Sequence, residues 1–185
     1  MSDFNFSRLR ANIIDVMTEQ QLKLGYLREK VRLYYPLDSL CHLMNCTATA
    51  AEMEVILERF AVAMKEEWGL LTVGRQKDRF CLTLCELAVE WVHRRLDPTA
   101  FWPRFIHLMA GGHVSMNEVR ALFRETSDSA VNERVDHGEF DELLYFADGR
   151  PDDYRYCFKQ EGRHLIYHRF VREDYEQLNR AIREE

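Results

Sequence analysis

Apolar positions set the first reading of the chain. Phe6, Leu9, Ile13 and Met17 recur at three- and four-residue steps, which predicts an amphipathic helix over residues 4–24 that Gly25 stops. Val31, Leu33 and Tyr35 then alternate with Arg32 and Tyr34, the two-residue period of a strand that ends before Pro36. LDSLCHLMN (37–45) reads as a short helix, and Thr47 or Thr49 is available to cap the next one. That helix, AAEMEVILERFAVAMKEEWG, carries a stripe of Met53, Ile56, Leu57, Phe60 and Met64 and is closed by Gly69. In LLTVGRQKDRFCLTL (70–84) two apolar runs flank GRQKD, the pattern of a β-hairpin with a charged tip. Helix, strand, helix, turn, helix and hairpin is the element order of a winged-helix domain.

The second half echoes the first. His42-Leu43-Met44 precedes Glu54-Val55, and His107-Leu108-Met109 precedes Glu118-Val119. RFCLTLCELAVEWVHRR (79–95) lies over RYCFKQEGRHLIYHRF (155–170), matching Cys81 with Cys157, Trp91 with Tyr167 and, across a one-residue gap, His93 with His168. The overlay makes 155–170 a wing strand running into the helix that follows, although residues 163–170 also fit a strand by their alternation. A polar insertion, SDSAVNERVDHGE (127–139), precedes the strand FDELLYFA, and DGRPDD supplies the Asp-Gly and Pro of a hairpin tip. The expected fold is therefore α+β, mainly helical, with two tandem winged-helix-like units over residues 1–96 and 97–185.

The runs KLGYLREKVRLYYPLDSL and FDELLYFADGRPDDYRYCFKQEGRHLIYHRF resemble those of a family of uncharacterised bacterial proteins, a domain of unknown function. The resemblance covers nearly the whole chain. It implies a small bacterial cytoplasmic protein and brings no activity, cofactor or catalytic residue with it.

Composition narrows the partners. The formal net charge is −6, whereas a nucleic-acid binder draws most of its affinity from an excess of Lys and Arg. The candidate recognition helix 50–68 sets Glu52, Glu54, Glu58, Glu66 and Glu67 against Arg59 and Lys65, a surface that repels phosphate. Arg75, Lys77 and Arg79 of the first wing are the remaining candidates for phosphate contacts. No apolar run is long enough to cross a membrane, and MSDFNFSRLR lacks the apolar core of a signal peptide. A cytoplasmic location follows as the expectation. The five cysteines, Cys41, Cys46, Cys81, Cys85 and Cys157, contain no CxxC pair, so reduced and mostly buried thiols are expected. Cys41, His42 and Cys46 lack the paired spacing of a zinc knot.

Two histidines, His164 and His168, follow an acidic run of Asp148, Asp152 and Asp153. Together they are the candidate set for a metal-dependent enzyme, with His137 a further ligand if the hairpin folds back. Leu165 stands where a zinc protease helix needs its general-base Glu, and DGRPDD is not spaced as an EF-hand loop. GxSxG, P-loop and GxGxxG patterns are missing, and Ser115 with Glu118 reads as a capping box. Trp68, Trp91, Trp102, Tyr34 and Tyr35 are assigned to core packing. The reading is a non-enzymatic binding or adaptor protein with no catalytic residue, metal or cofactor, whose partner is another protein or a second copy. The alternatives are a DNA-binding regulator acting through Arg75–Arg79, and the metal-dependent enzyme.

Overall fold

The computed structural model describes residues 6–135 and 139–183, which fall into two compact units on either side of Asp97 and Pro98. The chain is a mixed α+β protein, with seven helices and two antiparallel sheets among the described residues.

The first unit runs α1 (Ser7–Leu24), β1 (Val31–Pro36), α2 (Leu37–Leu43), α3 (Ala50–Trp68), β2 (Leu71–Gln76), β3 (Arg79–Leu84) and α4 (Glu86–Arg95). Leu9, Ile13 and Met17 are the buried stripe of α1, and Gly25 ends it at φ 85, a backbone value that side chains with a Cβ disfavour. Residues 4 and 5 of the expected helix lie outside the described residues. The sheet order is β1-β3-β2. Leu33, Tyr35, Phe80, Leu82, Leu84 and Leu71 face a core shared with Leu40, Met53, Ile56, Leu57, Phe60 and Trp68 of α2 and α3. Each such side chain contributes about 1.5–3 kcal/mol by leaving water. Tyr34 takes the opposite face of β1 and is 68% exposed, so it is not the core residue its sequence neighbours suggest.

The hairpin turn is tighter than GRQKD. Gly74 and Arg75 are strand residues, and the turn is Lys77-Asp78, with Lys77 at φ 59. A two-residue hairpin loop needs positive φ at its centre, and Lys77 supplies it.

The second unit runs α5 (Phe101–Ala110), α6 (Met116–Thr126), β4 (Ala130–Arg134), β5 (Glu142–Phe146), β6 (Tyr154–Glu161), β7 (His164–Val171) and α7 (Arg172–Arg183). Its strands form a meander in the order β4-β5-β6-β7. Alternation gives the sheet two apolar faces. Leu144, Phe146, Tyr156 and Phe158 meet Phe101, Phe105 and Phe123 of α5 and α6, with ring centroids 4.9 Å apart for Phe101–Phe146 and 5.0 Å for Phe105–Tyr156 and Phe123–Phe146. Leu143 and Cys157 face the other way, toward Phe140 and toward Tyr175 of α7.

Two expectations change here and one open point closes. The polar insertion contains a strand, β4, a short edge strand whose exposed half is Asn132, Glu133 and Arg134. Residues 163–170, open between strand and helix in the sequence, belong to strand β7 from His164 on, because Gly162 (φ 59) turns the chain back and β7 pairs along all of β6. Trp91 and His93 lie in α4, whereas Tyr167 and His168 lie in β7, so that half of the overlay joins unlike elements. The other half of the repeat needs a shift of two residues. Glu118 and Glu52 hold the same capping position, so Val119, fully buried, corresponds to buried Met53 and not to Val55, which is 49% exposed.

Candidate functional site

The outward face of α3 begins at its cap. Thr49 Oγ1 accepts the Glu52 N–H at 3.4 Å, and the Glu52 carboxylate accepts the Thr49 N–H at 2.8 Å. The bonds from Thr49, backbone first and hydroxyl second, hold the Glu52 carboxyl below its ordinary range. Beyond the cap, Val55 and Val62 are 49% and 74% exposed and stand seven residues apart, on one side of the helix. Glu58, Arg59 and Glu66 are exposed beside them. Lys65 is exposed there too, so the free surface of α3 beside the valines is an apolar stripe bordered by charges of both signs.

Arg75, Lys77 and Arg79 of the β2–β3 hairpin do not form one row. Arg75 pairs across the ladder with Phe80 and points to the core side, where its guanidinium holds Glu54 of α3 at 2.9 Å. Arg79 is exposed on the opposite face, between Pro36 and Gln76, and Lys77 sits in the turn. In the second unit, Arg120 of α6 is held by Glu142 of β5 (Nε 3.0 Å) and Asn117 (2.8 Å), and Arg104 by Glu125 (2.9 Å).

The carboxylates and imidazoles are spread over β6, β7 and the turn before them. Asp148 accepts the Ser129 hydroxyl at 2.6 Å and the Arg150 N–H at 3.1 Å, bonds that lower its pKa and tie β4 to the β5–β6 turn. Asp152 accepts the Tyr156 hydroxyl at 2.8 Å and the Tyr154 N–H at 3.2 Å, and Arg169 stands 3.5 Å from it. Asp153 pairs with Arg155 at 3.4 Å. His164 lies opposite Glu161 at the far end of the β6–β7 hairpin. His168 lies opposite Cys157 on the α7 face, edge-on to Phe140 (5.5 Å) and stacked beside Phe170 (6.2 Å). The two imidazoles share a strand face but stand roughly 13 Å apart at about 3.3 Å per residue. Asp152 is engaged on the α5–α6 side, through Tyr156 and Arg169, while His168 is on the α7 side. Among the described residues the set does not converge, and no group of three His, Cys, Asp or Glu side chains could hold a metal. His137 lies outside the described residues.

What the sequence reading missed is the environment of Arg169. Its guanidinium lies 3.5 Å from the Tyr154 ring centroid and 3.9 Å from that of Trp102, with Asp152 completing the group. Burial, above all, pushes the Tyr156 hydroxyl well above its ordinary value; Arg169 opposes this and Asp152 adds to it. Such a stack joins α5 to β6 and β7 through a cation, its counter-ion and two aromatic faces. The signal was present in the alternation of Tyr154 with Tyr156 and of Tyr167 with Arg169. The contribution of Trp102 from α5 is a tertiary contact that no local pattern announces.

Compared with known proteins, residues 6–179 match the domain of unknown function described as "E. rectale Gene description (DUF3877)". No curated protein and no solved structure matches the chain.

Proposed function

The chain belongs to this family of unknown function, and we infer that it acts as a non-enzymatic protein-binding module, built on winged-helix-like units, that uses the outward face of α3. The observation that carries the reading is the pairing of exposed Val55 and Val62 with exposed Glu58 and Glu66. An apolar stripe bordered by charges of both signs (Glu58 and Glu66 with Arg59 and Lys65) fits a protein surface, and the excess of Glu over Lys and Arg along α3 does not favour a phosphate backbone. The β1-β3-β2 order, with α2 and α3 packed on one face of the sheet, supports the winged-helix-like reading of the first unit. In the second unit the helix–turn–helix of α5 and α6 leads into a hairpin flanked by two further strands. Partner and self-association are both protein contacts of the same face.

The test replaces the stripe. Val55→Glu with Val62→Glu is expected to leave the melting temperature nearly unchanged, since both side chains already face water. The same change is expected to abolish whatever complex the wild-type chain forms, whether homo-oligomer by sedimentation or a defined protein co-purified from its own host. Sequence-selective duplex binding at physiological salt, insensitive to the two valines, would give the chain to the DNA-binding alternative, with Lys77 and Arg79 as its phosphate contacts.

A further inference from the structure

The end of α2 brings two thiols together. Cys46 donates its backbone N–H to the Cys41 carbonyl at 2.9 Å, and Asn45 donates to the His42 carbonyl at 3.1 Å. Asn45 itself is left-handed, at φ 48. These are the two bonds of a Schellman motif, in which the residue after the left-handed position folds back onto the last turn of the helix. The two residues that motif places side by side, where most proteins put an apolar pair, are here both cysteines. The Cys41 thiol donates to the Ala48 carbonyl at 3.8 Å, a weak contact at the same helix end, and burial first and the nearby Cys41 thiol second push the Cys46 thiol above its ordinary value. Both residues are half-buried and pack at the edge of the first core. The other cysteines are committed elsewhere. Cys85 lies 3.1 Å from the Trp68 carbonyl, Cys81 is 3.8 Å from the Thr83 hydroxyl, and Cys157 is fully buried.

We propose that Cys41 and Cys46 form a dithiol modification site that closes to an intramolecular disulfide by exchange with a small-molecule disulfide such as oxidised glutathione. One cysteine thiolate attacks the glutathione disulfide, forming a mixed disulfide and releasing one glutathione thiolate. The second cysteine then loses its proton and attacks the protein sulfur of the mixed disulfide. The second glutathione leaves as a thiolate. The protein loses two hydrogens, and one oxidised glutathione becomes two reduced ones. The helix end holds the second thiol beside the first, so the second step is intramolecular and outruns accumulation of the mixed disulfide. The new bond ties the end of α2 to the segment that leads into α3.

The test treats the native full-length chain with buffers of stepped glutathione disulfide-to-thiol ratio, quenches with acid, alkylates free thiols and reads intact and peptide masses. A Cys41–Cys46 disulfide is expected, with Cys81, Cys85 and Cys157 alkylated and a closure rate that rises toward alkaline pH. Cys46→Ser should stop at a single glutathione adduct on Cys41. Asn45→Gly, which keeps the left-handed turn, should still close, and Cys81→Ser should close as wild type does. Persistent glutathione adducts without closure, a disulfide that involves another cysteine, or no reaction at the most oxidising ratio would each overturn the proposal.

Discussion

Arg75 of β2, on the side of the sheet that α3 covers, holds the Glu54 carboxylate of α3 at 2.9 Å. The contact spans the helix and the hairpin that the DNA-binding alternative would turn toward the nucleic acid. It joins them to each other instead. A cation the sequence offers to phosphate thus neutralises a carboxylate on the neighbouring helix, and only Lys77 and Arg79 of the wing keep fully solvent-directed charge. Because both partners are about a third exposed or more, the pair itself is worth little, of the order of 0–1 kcal/mol.

The first prediction follows from that geometry. Wild-type protein is expected to bind duplex DNA weakly at physiological salt, by fluorescence anisotropy. Lys77→Ala with Arg79→Ala should reduce the slope of log affinity against log salt by about two, while Arg75→Ala should leave it nearly unchanged. A slope change on Arg75→Ala equal to that of the other two would mean that Arg75 leaves Glu54 to meet phosphate.

The two capping boxes are local and independent, one in each unit. Thr49→Ala and Ser115→Ala should each cost about 1 kcal/mol in urea denaturation. The sign of the pH effect is set by Glu52 and Glu118, whose bonds to Thr49 and Ser115 lower their folded pKa below 4.5. Their contribution is present above the unfolded value and is lost as pH falls through the folded one. Each alanine variant keeps the backbone N–H bond, the larger cause, and loses the hydroxyl one, so it should lose somewhat less stability than wild type between pH 5 and 3 (about the carboxylate range). An identical acid slope in wild type and both variants would contradict the assignment.

These caps are where the chain was most legible, because S/T-x-x-E fits one turn of helix and needs no tertiary partner. The strand alternation at Leu33 and Tyr35 was legible for the same reason, as was the hairpin that Phe80 and Leu82 anchor. β4 was not, since an edge strand with one wet face shows only Ala130 and Val131 before turning polar. β7 was ambiguous. Leu165, Tyr167 and Arg169 alternate, but Tyr167, Val171 and Tyr175 also keep helical spacing, and the boundary at Arg172 lies inside that overlap. Among the described residues the candidate histidine–carboxylate set does not converge, for a reason that sequence spacing hides. Residues close in the chain were sent to opposite faces of the sheet and opposite ends of one hairpin.

Arg169 supplies the third prediction. Removing its charge with Arg169→Met loses the contacts to Trp102 and Tyr154 and leaves the mostly buried Asp152 without its cation, at a cost of about 3 kcal/mol. Adding Asp152→Asn should recover part of that loss, because the uncompensated charge is gone. Strictly additive losses in denaturant melts would show that the two side chains do not act as a pair.

The histidines supply the fourth. With His164 at the hairpin tip and His168 on the α7 face, purified protein is expected to carry no stoichiometric metal by elemental analysis, and chelator should not shift the melting temperature. His164→Ala, at an exposed position, should cost less than about 0.5 kcal/mol. His168 is exposed as well, but His168→Ala should cost more than His164→Ala, because its ring meets Phe140 edge-on and stacks beside Phe170. One metal per chain, lost on mutation of either histidine, would restore the enzyme reading.

The last prediction concerns alkaline pH, where three buried acids act in the same direction. Burial pushes the Cys157 thiol from 9.0 up to about 12, the Tyr35 hydroxyl from 10.0 up to about 12, and the Tyr156 hydroxyl well above 10.0. In each case the folded state keeps a proton that the unfolded chain gives up first. The unfolded chain then binds fewer protons than the native one, so stability falls as pH rises, starting near the unfolded values and continuing to the folded ones. Cys157 begins the decline, since the unfolded thiol ionises at the lowest pH of the three. Denaturant melts between pH 8 and 11 (about the span from the thiol to the phenol reference values) should show stability constant at first and then falling. Cys157→Ala lowers stability at neutral pH by opening space against Phe140, Leu143 and Tyr175. It should nevertheless flatten the first part of the decline, and Tyr156→Phe should flatten only the later part. If the Cys157→Ala curve runs parallel to wild type across the whole range, the thiol ionises equally in both states and is not sealed as the structure places it.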